Sequence, residues 1–363
     1  GAAVLDEIVE RTKIDAALVE DVIFGCVNQV GSQGTNIARN AVLSSKLPET
    51  IPGTTVDRQC GSSQQAVHFA AQAVMSGVHD VVIAGGVEIM SLVPIGANAI
   101  AGHKQGYGAP YGKGMKQRYP GAKFSQFQGA EMLAQQRGLT REQLDAFGLS
   151  SHVKAAEATR EGRFTREIMP IQSTREDGTV ETVTADEGIR REATMDAMRA
   201  LKPLSEIGLL TAGTASQISD GAAAILIANE RGLKALGAKP RARIAAMALA
   251  ASDPIVMLSA PLPATHKLLA RSGVKMADVD LYEVNEAFAS VPLAWLDEFR
   301  DADPAKLNVN GGAIALGHPL GCSGAKLMTT LLHELERRDG RWGVQTMCEG
   351  GGLANATLIE RLS

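Results

Sequence analysis

Val56-Asp57-Arg58-Gln59-Cys60-Gly61-Ser62-Ser63 is followed by Ala66, Phe69, Ala70, Ala73 and Val74 at helical spacing, and then by the apolar run Asp80-Val81-Val82-Ile83-Ala84-Gly85-Gly86. The order is cysteine, helix, strand. The predicted helix opens on a thiol, where unpaired N–H groups and the positive end of the dipole favour an anion and bias a cysteine toward its nucleophilic thiolate. A solitary cysteine is ordinarily a small buried hydrophobe. Two distant fragments tip the balance here.

The first is Asn308-Val309-Asn310-Gly311-Gly312-Ala313-Ile314-Ala315-Leu316-Gly317-His318-Pro319-Leu320-Gly321-Cys322-Ser323-Gly324, with a helical pattern from Ala325 to Glu336. So many glycines imply tight turns or close backbone approach. A histidine in such a turn either bonds to local carbonyls or deprotonates a thiol and donates to an oxyanion. The second is Val344-Gln345-Thr346-Met347-Cys348-Glu349-Gly350-Gly351-Gly352, a strand that ends in a thiol and a carboxylate. It is read either as a hairpin terminus or as a source of free N–H groups beside a second thiol that can exchange protons near neutrality. Cys322, its helix and the strand ending at Cys348 repeat the order of Cys60, its helix and the strand through Gly85 at nearly the same spacing. This is a weak internal duplication of an αβ unit, and two such halves facing one another would bring Cys60 and Cys348 together. Strands are expected at 21–25, 81–84, 224–228, 243–249, 280–284, 344–347 and 356–359. Helices between them give a layered α/β chain.

These residues resemble the thiolase family. The match lies in Arg58-Gln59-Cys60-Gly61-Ser62-Ser63, Asn285-Glu286-Ala287-Phe288, Gly317-His318-Pro319 and Cys348-Glu349-Gly350, with Thr211 to Ala223 resembling the family's stretch that leads back into the core. Four motifs in order across nearly the whole chain are far more specific than one glycine-rich match. The resemblance implies an α/β, thiolase-like fold, with two similar αβ halves in a five-layered α-β-α-β-α sandwich and an inserted loop domain. The expected divisions are 1–90 with 218–240, 91–217 for the loop domain, and 241–363. It also implies Cys60 as nucleophile, Cys348 as acid/base, His318 and Asn285 as enolate stabilisers, and the N–H of Gly350 with that of Cys60 as the other oxyanion site. Arg190 is expected against the adenine and Ser216 against the pantetheine arm of coenzyme A, a co-substrate rather than a resident cofactor. Thiolytic cleavage of a 3-oxoacyl-CoA into acetyl-CoA and a shortened acyl-CoA is the expected reaction. The alternatives are acetoacetyl-CoA synthesis, decarboxylating condensation of the ketosynthase type, and acyl or lipid binding without catalysis. Family members form dimers or tetramers, so a homo-oligomer is expected. Phe124-Ser125-Gln126-Phe127-Gln128-Gly129 stands where short-chain members carry a His-Met pair, which suggests a wider acyl pocket. Arg58-Gln59, Gln64-Gln65 and the Cys348-Glu349-Gly350-Gly351-Gly352 run resemble a bacterial branch associated with breakdown of steroids or other bulky acyl groups.

Composition is consistent with this. The 363 residues are 45% apolar and 21% charged, enough for a core of two or three domains. A net charge of −4 disfavours nucleic acid as main partner. The longest apolar runs are far shorter than the ~18 residues of a membrane span. Four cysteines in a large chain with no visible secretory segment suggest reduced thiols in the cytoplasm. Ligand spacing for a metal is lacking. Gly1 to Glu10 reads as helix where thiolase-like chains begin with a strand, so an earlier segment is expected to be missing. Between Ser91 and Ala130 there is no Asp or Glu, while five Lys or Arg and three of the four tyrosines fall there. Such a basic, aromatic, glycine-rich loop suits a phosphate-bearing co-substrate.

Overall fold

The computed structural model describes residues 1–175, 177–206 and 208–362. Two four-stranded mixed sheets organise it. The first has the order β2-β1-β3-β6, from β1 (Asp21–Gly25), β2 (Gly53–Val56), β3 (Val81–Ile89) and β6 (Asp220–Ala228). The second has the order β7-β10-β9-β8, from β7 (Ala242–Ala251), β8 (Leu281–Val284), β9 (Trp342–Glu349) and β10 (Leu353–Arg361). A small hairpin, β4 (Ile171–Thr174) with β5 (Val180–Val183), lies apart.

The duplication read from the sequence is present in the topology. β3 pairs parallel with β1 and antiparallel with β6, and β9 pairs parallel with β8 and antiparallel with β10. Each follows one helix, Ser62–Met75 before β3 and Ser323–Arg338 before β9. These two helices pack on each other between the sheets. Helices Ala2–Thr12 and Ile37–Ser44 cover the outside of the first sheet, and Pro261–Ser272 with Ser290–Glu298 cover the second, which makes five layers.

A helix enclosed on all sides needs small or apolar residues, or polar ones with partners. Ser62–Met75 has Ala66, Ala70 and Ala71 fully or almost fully buried, along with Gln64, Gln65 and His68. Gln64 meets that demand with its amide nitrogen, which donates to Thr357 Oγ1 at 2.7 Å, though not with Oε1, and Ser63 Oγ takes the Ala325 N–H of the neighbouring helix at 2.9 Å.

All seven expected strands are present, most extended by a few residues. β2, β4 and β5 were not expected: each is four residues long, and polar or alternating side chains break up their apolar signal. The basic stretch after Ser91 is not wholly loop, since helices Ala97–Lys104 and Lys113–Arg118 interrupt it. Farther on, helix Gln126–Gln136 packs against Ser290–Glu298, and Arg141–Arg160 against the short helix Ala313–Leu316.

Candidate active site

The site is assembled from turns at the ends of the central elements. Cys60 does not begin its helix; the first helical residue is Ser62 and Gly61 is the capping position. The turn is held by the Ser62 hydroxyl, which accepts from the Arg58 N–H at 2.9 Å and donates to the Gln59 carbonyl at 2.6 Å. Gln59 has φ +50°, a left-handed conformation that costs a non-glycine residue roughly 1 kcal/mol. Such strain persists where the surroundings over-determine it. Here Asp57 accepts from the Gln59 N–H at 2.7 Å, and the Gln59 side chain lies against Gly350.

Cys348 is the penultimate residue of β9, opposite Ala354, and the hairpin to β10 turns through Gly350-Gly351-Gly352, the last two at positive φ. The strand-terminus and active-site readings of this segment are therefore compatible. The two turns interlock: a Cβ on Gly61 would overlap the carboxyl of Glu349, which would have to move aside.

Cys60 is 8% exposed and Cys348 is fully buried. Burial pushes the Cys60 thiol up to about 12, and a charge on Glu349 pushes the same way, while the nearby backbone of Gly350 and of Cys60 itself pulls it back. The helix-dipole expectation is thus incomplete, because Cys60 lies outside the helix and its desolvation outweighs the favourable contributions. Cys348 is raised well above an ordinary thiol, first by burial and then by the proximity of Cys60 and Glu349. A charge on the Cys60 sulfur is close enough to oppose ionisation of Cys348.

His318 lies on the turn before helix Ser323–Arg338, buried, with Nε2 3.3 Å from Asn285 Nδ2 and Nδ1 2.5 Å from Ser323 Oγ. Burial lowers its pKa to about 4, with the Lys326 charge acting the same way, so the ring is neutral at physiological pH. Asn285 Oδ1 is buried without a partner, a free acceptor beside the ring. Ser216 joins this region through its backbone: its N–H bonds the Ala287 carbonyl at 3.0 Å, and the Gln217 carbonyl takes the His318 N–H at 3.1 Å. Arg190 has an exposed side chain, and its N–H donates to His152 Nδ1 at 3.1 Å.

A cleft of about 560 Å³ opens beside the glycine turn, lined by Met115, Arg118, Tyr119, Ser252, Pro254 and Gly351 among others. Tyr111 and Tyr119 pack on Phe124 with ring centroids 5.2 and 5.7 Å apart, and Phe127 meets Phe288 edge-on at 5.4 Å. Sequence reasoning missed Ser323 and the strained Gln59. Ser323 was visible as the first polar residue after His318 at a helix start, whereas the conformation of Gln59 has no sequence signal. Among the described residues no His, Cys, Asp and Glu group suits a metal ion, and no helix is long and apolar enough to cross a membrane.

The fold and these facing turns coincide with matches to known proteins. The family descriptions "Thiolase, N-terminal domain" and "Thiolase, C-terminal domain" match residues 1–231 and 238–361. The chain belongs to the thiolase family. It is 51% identical over 364 aligned positions to the steroid 3-ketoacyl-CoA thiolase FadA6 of Mycobacterium tuberculosis, covering 100% of this chain and 88% of that protein. It is 44% identical to the 3-ketoacyl-CoA thiolase of Idiomarina loihiensis, covering 99% and 92%. Among solved structures it superposes on the Bacillus anthracis acetyl-CoA acetyltransferase with a TM-score of 0.88 at 37% identity, covering 99% of this chain and 91% of that one.

Proposed function

We propose that this chain cleaves a 3-oxoacyl-CoA with coenzyme A, releasing acetyl-CoA and a shortened acyl-CoA. The observation that carries this is the interlocking of the Cys60 turn with the Cys348-Glu349-Gly350 turn, Gly61 against Glu349 and Gln59 against Gly350, which gathers two thiols and the backbone N–H groups of Cys60 and Gly350 in one place. Two fixed donors at one point are what a tetrahedral oxyanion requires, and a water-poor site makes them most effective.

In this reading the Cys60 proton passes to His318 Nε2, and the thiolate adds to the 3-keto carbon. The bond between C2 and C3 breaks, the acyl group stays on Cys60, and the electron pair goes to the acetyl-CoA enolate. His318 and Asn285 hold the enolate oxygen, while the Cys348 thiol protonates C2. Cys348 then takes the proton of an incoming coenzyme A thiol, which attacks the acyl group and returns Cys60 as thiolate. Arg190 and Ser216 serve the nucleotide and pantetheine ends of the co-substrate, and the basic cleft beside Arg118 suits its phosphates. A homo-oligomer is part of this reading.

The named relatives, one of them a steroid thiolase, favour the degradative direction and a bulky acyl group. The aromatic cluster around Phe124 offers apolar surface for one. Incubation with a 3-oxoacyl-CoA followed by peptide mass spectrometry should find the acyl group on Cys60. Cys348→Ala should lose deuterium exchange into acetyl-CoA, by about 10²-fold or more if it is the acid/base; unimpaired exchange refutes its role. Across a series of 3-oxoacyl-CoA substrates, kcat/KM should rise with acyl size, and a preference for acetoacetyl-CoA would overturn the wide-pocket reading.

A further inference from the structure

Glu349 takes no part in the chemistry just described, yet it lies fully buried between the two reactive thiols' turns, and neither of its carboxyl oxygens has a hydrogen-bond partner. The backbone N–H of Asn355 is near without making a bond. A buried, unpaired carboxylate is among the costliest groups a protein can hold.

The explanation lies across the space left by Gly61. A Cβ there would overlap Glu349 Oε1 and stand 2.9 Å from Asn355 Oδ1, so both oxygens border the same small gap. Asn355 is itself fully buried. Its Nδ2 donates to Gln65 Oε1 at 3.3 Å and to His68 Nδ1 at 3.2 Å, and His68 Nε2 lies 2.7 Å from Thr357 Oγ1. With the amide so oriented, Oδ1 is turned toward Glu349 and finds no donor. One proton between two neighbouring acceptors, both buried and both orphaned, would satisfy them together.

We infer that Glu349 is a neutral carboxylic acid in the resting enzyme, donating its proton to Asn355 Oδ1, and that it positions and protects the Cys60 thiolate by remaining uncharged. The inference rests on Cys60 being the nucleophile. Burial raises the Glu349 pKa well above that of an ordinary carboxyl, and only the Arg58 charge and the Asn355 N–H work against this. After burial, a charge on Glu349 is the largest opponent of a Cys60 thiolate. The titratable groups facing Glu349 are Arg58 and Cys60 on the nucleophile turn, Cys348 on its own strand, and His68 on the central helix through Asn355. His68 is held neutral by burial, its pKa lowered to about 3, so it supplies no positive charge to hold an ionised carboxylate. Turning both the Asn355 and Gln65 amides would instead build a network around a carboxylate, and the two arrangements differ measurably.

Glu349→Gln keeps the shape and offers an N–H to Asn355 in place of the acid proton. Alkylation of Cys60 by iodoacetamide, followed residue by residue with mass spectrometry from pH 6 to 10, reads thiolate availability whether or not the enzyme turns over. Loss of the catalytic reading would therefore appear in the acyl-trapping experiment and leave this one intact. The expected result is a variant rate within about twofold of the native rate at pH 7, because one neutral group replaces another. If Glu349 is ionised, removing its charge lowers the thiol pKa by about one unit and speeds alkylation about tenfold already at pH 7; that outcome overturns the inference. A second measurement serves if the variant does not fold. The native infrared spectrum at pH 7 should contain a carboxylic-acid C=O stretch that moves in Asn355→Ser, and a spectrum unchanged in that region by the substitution overturns the inference equally.

Discussion

Strands β3 and β9 hold equivalent places in the two sheets, and each carries a buried glutamate at or next to its last residue, Glu88 and Glu349, but the two carboxyl groups have opposite surroundings. Glu88 accepts from the N–H groups of Val27, Asn28 and Gly321 and from the side-chain amides of Asn28 and Gln33, at 2.8 to 3.1 Å. Glu349 accepts from none. The first half therefore uses its strand end as an anchor that ties the Asn28 loop to the His318 turn. In the second half the corresponding place lies against the turn of Cys60, the proposed nucleophile, where a fixed negative charge would oppose a thiolate. The cysteines before the two central helices differ in the same way. Cys322 caps helix Ser323–Arg338, and burial is the largest cause that pushes it to about 12, as it is for Cys60. Of the two, Cys60 has the Gly350 backbone lowering its pKa and a cleft near the adjoining glycine turn. The proposed nucleophile is thus set apart from Cys322 by its surroundings and not by proximity to a helix start.

The largest expected effect separates the two cysteines. Cys60→Ser should lower thiolysis by at least roughly 10³-fold, while Cys322→Ala should leave the rate within about threefold and cost about 1 kcal/mol of stability. Comparable losses in both variants, measured as kcat on folded protein, would erase the distinction between the halves. The glutamates should separate in stability instead. Glu88→Ala strands five donors in a dry interior and should cost about 3–5 kcal/mol in urea unfolding. Glu349→Gln should stay within about 1 kcal/mol, and a cost matching that of Glu88→Ala would mean that Glu349 is an anchor as well.

The halves themselves were legible because their strands are continuous apolar runs such as Val81 to Ala84, and because a cysteine, a helix and a strand recur in one order. Cys60, His318 and Cys348 stood out as reactive side chains flanked by glycines. What escaped was relational. Nothing local says that Glu349 fills the gap at Gly61, nearly three hundred positions away, or that Ser323 sits 2.5 Å from the His318 ring. Glu88 reads as a polar residue near the end of a hydrophobic strand, and its five donors come from Val27, Asn28 and Gln33 in one loop and from Gly321 far along the chain. The β4–β5 hairpin escaped for a different reason: its outward Ile171 and Val180 are exposed, so no burial pattern marks it.

His68 offers the smallest and most diagnostic contrast, because it belongs to the first half's helix but bonds only to the second half's β10, through Thr357 and Asn355. Its folded pKa of about 3 lies below the ordinary histidine value, mainly through burial and partly through the Arg58 charge. The unfolded chain therefore binds a proton below pH 6.5 that the folded protein refuses, so stability falls as pH drops from 6.5 toward 3. At one decade of pH per about 1.4 kcal/mol, the loss by pH 4 is of order 3 kcal/mol. Buried acids such as Glu283 and Glu286, whose pKa values are raised by burial, act in the opposite sense over this range. The comparison must therefore be made between proteins that share them. His68→Gln keeps a donor and an acceptor for β10 but cannot titrate, so its unfolding free energy should fall less steeply than the native one between pH 6.5 and 4. Parallel curves would mean that His68 is already charged in the folded protein. An imidazolium at Asn355 would turn that amide and favour an ionised Glu349, so one titration bears on both the interface and the acid beside the nucleophile.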